Sequence, residues 1–333
     1  MPGAPIQRYA RWLVNGIGSE VVSNVAAFAK GGRGSAFDEG GTAAAPGGLA
    51  IVTGSTGGIG REVAFGLAER GFNVVCAARD PLRGEALAAE IAARGGRASF
   101  AELHLDSPTA VREFAAAYRG RSVALLVNCG GVMGASVTTE ETMKVNLFSP
   151  VVLTLELLPS LRAGGGGRVV NVGSSSHLRA ASARPRGAAD APDVGLGAYA
   201  SSKLGLMQSS LLLSALEPRV TLHDCHPGLV WTPMLRGFLG TRVAAALERT
   251  RLRRVFFREP RRGAATVLAA ATAPRQSRPR AYFVDGRVAP LRAASPESRS
   301  MAASRQTWAS VVAPELARLG MRYDVGTLDA ESG

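Results

Sequence analysis

Tyr199 and Lys203, four positions apart, form the pairing in this chain best suited to chemistry. They stand in Tyr-Ala-Ser-Ser-Lys at the start of an apolar helical run, and residues four apart on a helix share a face. A free phenol ionises near pH ~10, too high to trade protons efficiently at neutral pH. An ammonium beside it favours the phenolate and lowers that value. The chain holds five tyrosines and only three lysines, Lys30, Lys144 and Lys203, so a pair at this spacing is expected about 0.05 times by chance. The bland alternative is a tyrosine packed on the core beside a solvated lysine.

A carbonyl also needs a hydrogen-bond donor. Arg168–Val172 reads as a buried strand and runs into Gly173 and three hydroxyls, Ser174, Ser175 and Ser176. A serine at a strand's carboxyl end faces the crevice where ligands bind in open α/β sheets, and could polarise a carbonyl oxygen. Residue types do not choose among the three, and a turn serine is the structural alternative. Upstream, the apolar run Leu49–Thr53 leads into Gly54-Ser55-Thr56-Gly57-Gly58-Ile59-Gly60 and then a helical pattern. Glycine at such a turn lets the backbone approach a pyrophosphate, which rests on the helix N-terminus. With 40 glycines this spacing is expected about 0.6 times by chance, so its position between strand and helix carries the meaning. The next strand ends in Ala77-Ala78-Arg79-Asp80. An acidic residue there favours a free ribose 2′-hydroxyl, and an arginine favours a 2′-phosphate. Arg79 comes first, so NADP(H) is expected in preference to NAD(H).

These groups meet only if strand ends are brought together. Seven strand-like runs, at 49–53, 73–78, 98–103, 123–127, 168–172, 220–225 and 281–284, alternate with helical patterns at 61–70, 82–94, 109–119 and 198–216. Apolar strands separated by helices indicate a parallel sheet covered on both faces. Right-handed crossovers then give an α/β, doubly wound (Rossmann) seven-stranded sheet in a single domain. That domain is expected over 48–333, with a helical extension from about 295. Within the extension, 298–319 reads as a two-faced helix interrupted at Pro314, fit to cover a sheet edge or to meet a partner subunit in an oligomer. Residues 1–47 comprise an amphipathic segment at 12–28, with Leu13, Ile17, Val21, Val25 and Phe28 at helical spacing, and a Gly-rich linker. No stretch has the ~18 consecutive apolar residues of a spanning helix. A peripheral membrane contact through 12–28, a packed helix and a transit peptide stay open, and with them a cytoplasmic or membrane-associated location.

Composition narrows the partners. The formal net charge is +13, and of the 39 lysines and arginines all but the three lysines are arginine. The arginines are scattered, dense only at 249–262 and 275–292, with no interleaved aromatics, which reads as a solvated surface and not as a nucleic-acid site. Cys76, Cys129 and Cys225 lie far apart without a CxxC pair, which suits neither a disulfide framework nor a zinc site. Cys76 and Cys225 end apolar runs and read as core thiols.

Together these segments resemble the short-chain dehydrogenase/reductase family over about 49–284. Thr-Gly-Ser-Thr-Gly-Gly-Ile-Gly60 is similar to its TGxxxGIG cofactor loop, and Tyr199 with Lys203 to its YxxxK pair. Leu-Val-Asn128-Cys129-Gly130-Gly131 sits where the family has an NNAG segment, and Val145-Asn146-Leu147 where it has the asparagine of its tetrad. His226-Pro227-Gly228-Leu229-Val230-Trp231-Thr232 resembles the PG segment beside the nicotinamide, and Asp106 the aspartate that contacts adenine. The retinol-dehydrogenase-like branch, with the X-linked dehydrogenase/reductase among its members, is the most similar. The shared features are Ala-Arg79-Asp, Arg-Val-Val-Asn-Val-Gly-Ser-Ser-Ser-His177 and the long spacing to Tyr199. In that branch the second serine of VNVSS is catalytic, which selects Ser174 and lets Gly173 stand for the first.

The resemblance implies Asn146, Ser174, Tyr199 and Lys203 as catalytic residues. It implies cofactor contacts from Gly54, Ser55, Thr56, Gly58, Ile59, Gly60, Arg79, Asp106, Asn128, Gly130, Tyr199, Lys203, Pro227, Gly228, Val230 and Thr232. The cofactor it implies is NADP(H), and the substrate a small alcohol, aldehyde or ketone, often lipophilic in a branch many of whose members attach to membranes. Cys129 for the second Asn and Gly130 for the Ala of NNAG would loosen the hold on the central strand. None of the four carried-over catalytic positions is lost. Met234, Leu235, Phe238 and Leu239, in the stretch 232–262, fit a hydrophobic pocket or plain helix packing. Residues 178–197 form an Ala/Arg/Pro/Gly-rich insertion. The rival reading is a non-catalytic NADP-binding interaction protein on the same fold.

Overall fold

The structure, a computed structural model, describes residues 47–134, 136–163, 165–185, 196–274 and 280–325. The amphipathic segment 12–28, the linker up to 46 and residues 186–195 of the insertion lie outside the described residues.

One sheet carries the architecture, in the order β3-β2-β1-β4-β5-β6-β7-β8. Its strands are β1 (Leu49–Thr53), β2 (Asn73–Ala78), β3 (Arg97–Glu102), β4 (Leu125–Asn128), β5 (Arg168–Val172), β6 (Thr221–His226), β7 (Arg280–Val284) and β8 (Arg287–Val288). Pairing is parallel from β3 through β7. Side chains alternate between two covered faces, as a twice-buried sheet requires. Ile51, Val75, Leu126, Val169 and Leu222 enter one core, and Ala50, Val52, Val74, Val127 and Val170 enter the other. The strand order reverses between β1 and β4, so a crevice opens outside their carboxyl ends.

The expected seven strands are joined by an eighth. Asp285 and Gly286 have φ of 52° and 76°, a two-residue turn whose twist suits a hairpin. The chain reverses there and β8 pairs antiparallel with β7, Val284 opposite Arg287. Both residues of β8 are exposed, so an apolar-run reading passes over it.

The strands are also less apolar than expected. Asn128, Asn171 and Asp224 are register partners on β4, β5 and β6. Asn128 Nδ2 donates to Asn171 Oδ1 at 2.9 Å, and Arg280 Nε donates to Asp224 Oδ2 at 2.7 Å. Burial pushes the Asp224 carboxyl up, and the Arg280 guanidinium opposes that shift. A charge this deep is tolerable only with such a partner.

Helices between the strands position the site. Helix α1 (Gly58–Glu69) follows the glycine turn, and α2 (Pro81–Ala93) follows Arg79. Farther on, α3 (Pro108–Ala116) leads to β4, and α4 (Thr139–Met143) widens into a π turn at Lys144–Phe148 before α5 (Ser149–Ala163). Thr139–Ala163 is long and apolar enough to cross a membrane, but 78% of its apolar window is buried, as in a core helix. Helix α6 (Leu196–Leu216) carries Tyr199 and Lys203 and is buried over most of its length. After β6 come α7 (Pro233–Leu239), α8 (Thr241–Glu248), α9 (Leu252–Phe256) and α10 (Pro260–Thr272).

The C-terminal extension packs on its own chain rather than over a sheet edge. It comprises α11 (Pro296–Arg299), α12 (Met301–Thr307), a π turn at Trp308–Val312 and α13 (Ala313–Arg318). Trp308, Val312 and Leu316 are at most 2% exposed and join the core of Val151, Leu155 and Leu206. The wide turn ahead of Pro314 absorbs the backbone bond that proline cannot make.

Candidate active site

The glycine turn is packed backbone on backbone. Gly54 has φ of 64°, and a Cβ there would fall 2.6 Å from the Cα of Gly130. Thr53 Oγ1 accepts the N–H groups of Cys129 and Gly130, each at 3.0 Å, which ties the segment after β4 to the turn after β1. The N-terminus of α1 has neither a side-chain cap nor an acidic residue in its first turn. Its N–H donors and positive dipole end suit an anion.

Thr56 through Gly60 line one part of a cleft of about 360 Å³ at the strand ends. Arg79 and Arg83 line it at the end of β2, and Ser174, Ser175, Ser176, Tyr199 and Lys203 line its middle. Pro227 through Val230 and Thr232 close the far side. Arg83 was not anticipated. It lies in the first turn of α2, and its Nη2 donates to the Thr56 carbonyl at 2.9 Å.

Tyr199 and Lys203 are 6% and 5% exposed. Lys203 Nζ lies 5.7 Å from the centre of the Tyr199 ring and donates to the Val172 carbonyl at 2.9 Å. Burial pulls the Lys203 ammonium down to about 8, with the neighbouring cysteines acting in the opposite sense. Gly131 fits between Lys203 and Asn146. A Cβ there would lie 3.1 Å from Asn146 Oδ1 and 3.7 Å from Lys203 Nζ.

Asn146 occupies the π turn, is fully buried and does not line the cleft. Its Oδ1 accepts the Val132 N–H at 2.8 Å, and its Nδ2 donates to the Val132 carbonyl at 2.9 Å and to Ser202 Oγ at 3.3 Å. Ser202 Oγ donates in turn to the Tyr199 carbonyl at 2.7 Å. A π bulge widens the ring of the helix and re-aims a side chain, as often happens beside functional sites.

Three other named residues also stand off the lining. Ser55 is buried and donates to the Ala77 carbonyl at 3.4 Å. Asn128 belongs to the cross-sheet ladder. Asp106 follows β3, with its side chain 43% exposed and 3.8 Å from His104.

On the far side, Gly228 has φ of 84°, and a Cβ there would meet the Arg258 guanidinium at 2.7 Å. Arg258 is buried and pairs with Asp285 at 2.5 Å, so this salt bridge lies directly behind the PG segment. Nothing in the sequence linked 228 to 258 or 285. Of the four apolar residues named after the PG segment, Met234 and Leu235 line the cleft with Met133 and Leu229. Phe238 and Leu239 pack with Trp231 and Phe257 in a satellite core. Wall and packing are thus shared out along one helix.

A sequence profile of the short chain dehydrogenase family matches residues 48–241. Polyprenol dehydrogenase of Mus musculus is 38% identical over 256 residues, which is 69% of this chain and 72% of that protein. Retinol dehydrogenase 12 of Homo sapiens is 31% identical over 211 residues, 57% of this chain and 64% of that one. The chain spans between 46% and 72% of the length of these and other curated relatives. Among solved structures, a 3-oxoacyl (acyl-carrier-protein) reductase from Agrobacterium tumefaciens with NADP bound superposes with a TM-score of 0.58. It is 26% identical, over 69% of this chain and 90% of that one. With the profile covering more than half of its residues and the sheet order in agreement, the chain belongs to the short-chain dehydrogenase/reductase family of oxidoreductases, on its retinol-dehydrogenase-like branch.

Proposed function

We propose that the protein interconverts an alcohol and a carbonyl with NADP(H), with Tyr199 as the general acid and base. One observation carries the reading: the bare N-terminus of α1, the Ser174 hydroxyl and the Tyr199–Lys203 pair line a single cleft. The residues present fit a dinucleotide phosphate. Thr56–Gly60 would hold its pyrophosphate, and Arg79 and Arg83 its 2′-phosphate. Several family structures are solved with NADP or NADPH, which agrees with that assignment. When bound, the cofactor supplies or accepts the hydride.

The protein's own part is proton handling. Ser174 donates a hydrogen bond to the substrate oxygen and holds it beside Tyr199. Tyr199 gives its proton to that oxygen as negative charge gathers there. The Lys203 ammonium, in a dry site, stabilises the phenolate left behind. Burial pulls the ammonium down, and a phenolate beside it would hold the proton on Lys203. Asn146 holds Val132 and, through Ser202, the backbone of the tyrosine turn. The reverse reaction uses the same groups.

The apolar wall of Met133, Leu229, Met234 and Leu235 supports a lipophilic substrate, as do relatives named for polyprenol and retinol. The test is NADPH oxidation with retinaldehyde, a polyprenal, a steroid ketone and a short-chain aldehyde. Turnover of the long apolar carbonyls ahead of the short one is expected. Binding of NADPH without turnover of any of them would instead favour a non-catalytic role.

The arginine pair makes a separate prediction. Arg79→Ala/Arg83→Ala should raise the KM for NADPH by about tenfold while moving that for NADH by less than about threefold, the loss of two exposed phosphate partners. Equal changes for both cofactors would remove the pair from the 2′-phosphate site.

A further inference from the structure

The proposed mechanism leaves several buried titratable groups unused, His177 among them. His177 is fully buried, one turn beyond Ser174. The Ser174 carbonyl accepts two hydrogens from this one residue: its backbone N–H at 3.2 Å and its ring Nδ1 at 2.6 Å. On the other side of the ring, Nε2 accepts the Ser295 N–H at 3.3 Å. A backbone N–H pointing at Nε2 requires a lone pair there, so the proton sits on Nδ1 and the ring is neutral. The Tyr282 ring stands edge-on to it, 5.8 Å between centres.

Ser295 is where the C-terminal extension begins, since its hydroxyl caps α11. The same extension also grips the tyrosine helix. Gln208 on α6 donates to the Glu297 carbonyl at 3.1 Å and accepts from Thr307 Oγ1 at 2.7 Å. The extension therefore holds the serine turn through His177 and the helix of Tyr199 through Gln208.

We infer that His177 is a positioning residue that locks Ser174 to the C-terminal extension and so sets Ser174 against Tyr199. The inference rests on the assignment of Ser174 as the substrate-oxygen donor. Charged and titratable groups face the ring from three elements: His226 on β6, Arg280 on β7 and Glu297 on α11. Burial is the largest influence and pulls the imidazole below its ordinary value, while the Ser174 carbonyl raises it. A second proton, on Nε2, would confront the Ser295 N–H and break the latch.

The test uses the full chain, NADPH and the best carbonyl of the panel. His177→Phe keeps the ring and removes both ring hydrogen bonds. His177→Asn can still offer an N–H to the Ser174 carbonyl but leaves the Ser295 N–H without its acceptor. His177→Phe should lower kcat by about 10- to 100-fold with the NADPH Kd unchanged, and His177→Asn should recover part of the loss, the part held by the Ser174 bond. The wild type should lose kcat in an acid limb that lies below the ordinary imidazole range, because burial holds the ring neutral, and His177→Asn should lack that limb. Wild-type kcat in His177→Phe, or equal loss in both variants with the acid limb intact, overturns the latch. If His177→Phe does not fold, His177→Asn decides alone. A kcat reduced at neutral pH and lacking the acid limb supports the proposal, and a wild-type kcat or an intact acid limb refutes it. Ser174→Ala is the separate control: full activity there defeats the mechanism itself, whatever His177 does.

Discussion

Tyr199→Phe is expected to lower kcat by about three orders of magnitude and to leave the NADPH Kd within about twofold, as loss of a positioned general acid does. The substitution removes one oxygen and little else. The ring is 6% exposed and packed, and phenylalanine keeps that packing. Lys203 keeps its hydrogen bond to the Val172 carbonyl, so the helix turn retains its anchor. The glycine turn and the arginines lie on other elements and continue to bind the cofactor. The melting temperature should therefore move little, and the loss should appear in kcat and kcat/KM together, the mark of an interaction made in the transition state. Steady-state kinetics with NADPH, beside fluorescence titration of NADPH, separates the outcomes. Turnover like that of the wild type would refute a proton-donor role. Loss of NADPH binding would show that the hydroxyl serves the cofactor and not the substrate.

What could be read before folding, and what could not, divides by distance along the chain. The glycine turn, Tyr199 with Lys203, and Arg79 carry their meaning within a few residues, and all line one cleft. Strand positions follow from apolar runs, with ends displaced by up to two residues, as at β4. Features that depend on distant partners were silent. The Asn128–Asn171–Asp224–Arg280 ladder replaces apolar residues inside strands, and only the register explains why polar side chains are tolerated there. Arg258 looked like one arginine among many in a basic stretch, yet it is buried behind Gly228. His177 lay inside a quoted motif and still had no role, because its partner Ser295 is 118 residues away. The Asp285–Gly286 hairpin is different. Its turn signal was local and strong, and it went unused because the strand after it is two exposed residues long.

Gly54→Ala should raise the NADPH Kd by about 100-fold or more, because two costs fall on the same atom. The first is conformational. At φ of 64° an L-residue pays roughly 1–2 kcal/mol that glycine does not. The second is steric. The new Cβ would sit 2.6 Å from Gly130 Cα and 3.0 Å from Gly130 N. Those are backbone atoms, and they cannot swing aside as a side-chain end would. They are also pinned, since the Gly130 N–H is donated to Thr53 Oγ1. Relief must come from parting the β1 turn from the β4 turn, the two walls between which the pyrophosphate would lie. Gly95→Ala supplies the control. Gly95 has φ of 82° with nothing within 4 Å of an added Cβ, so it pays the first cost without the second. It should lose a few degrees of melting temperature, about what 1–2 kcal/mol removes from a domain of this size, and bind NADPH normally. Equal loss of NADPH affinity in both variants would mean that backbone strain acts through global stability. A loss confined to Gly54→Ala would place the close approach of the two turns at the centre of cofactor binding.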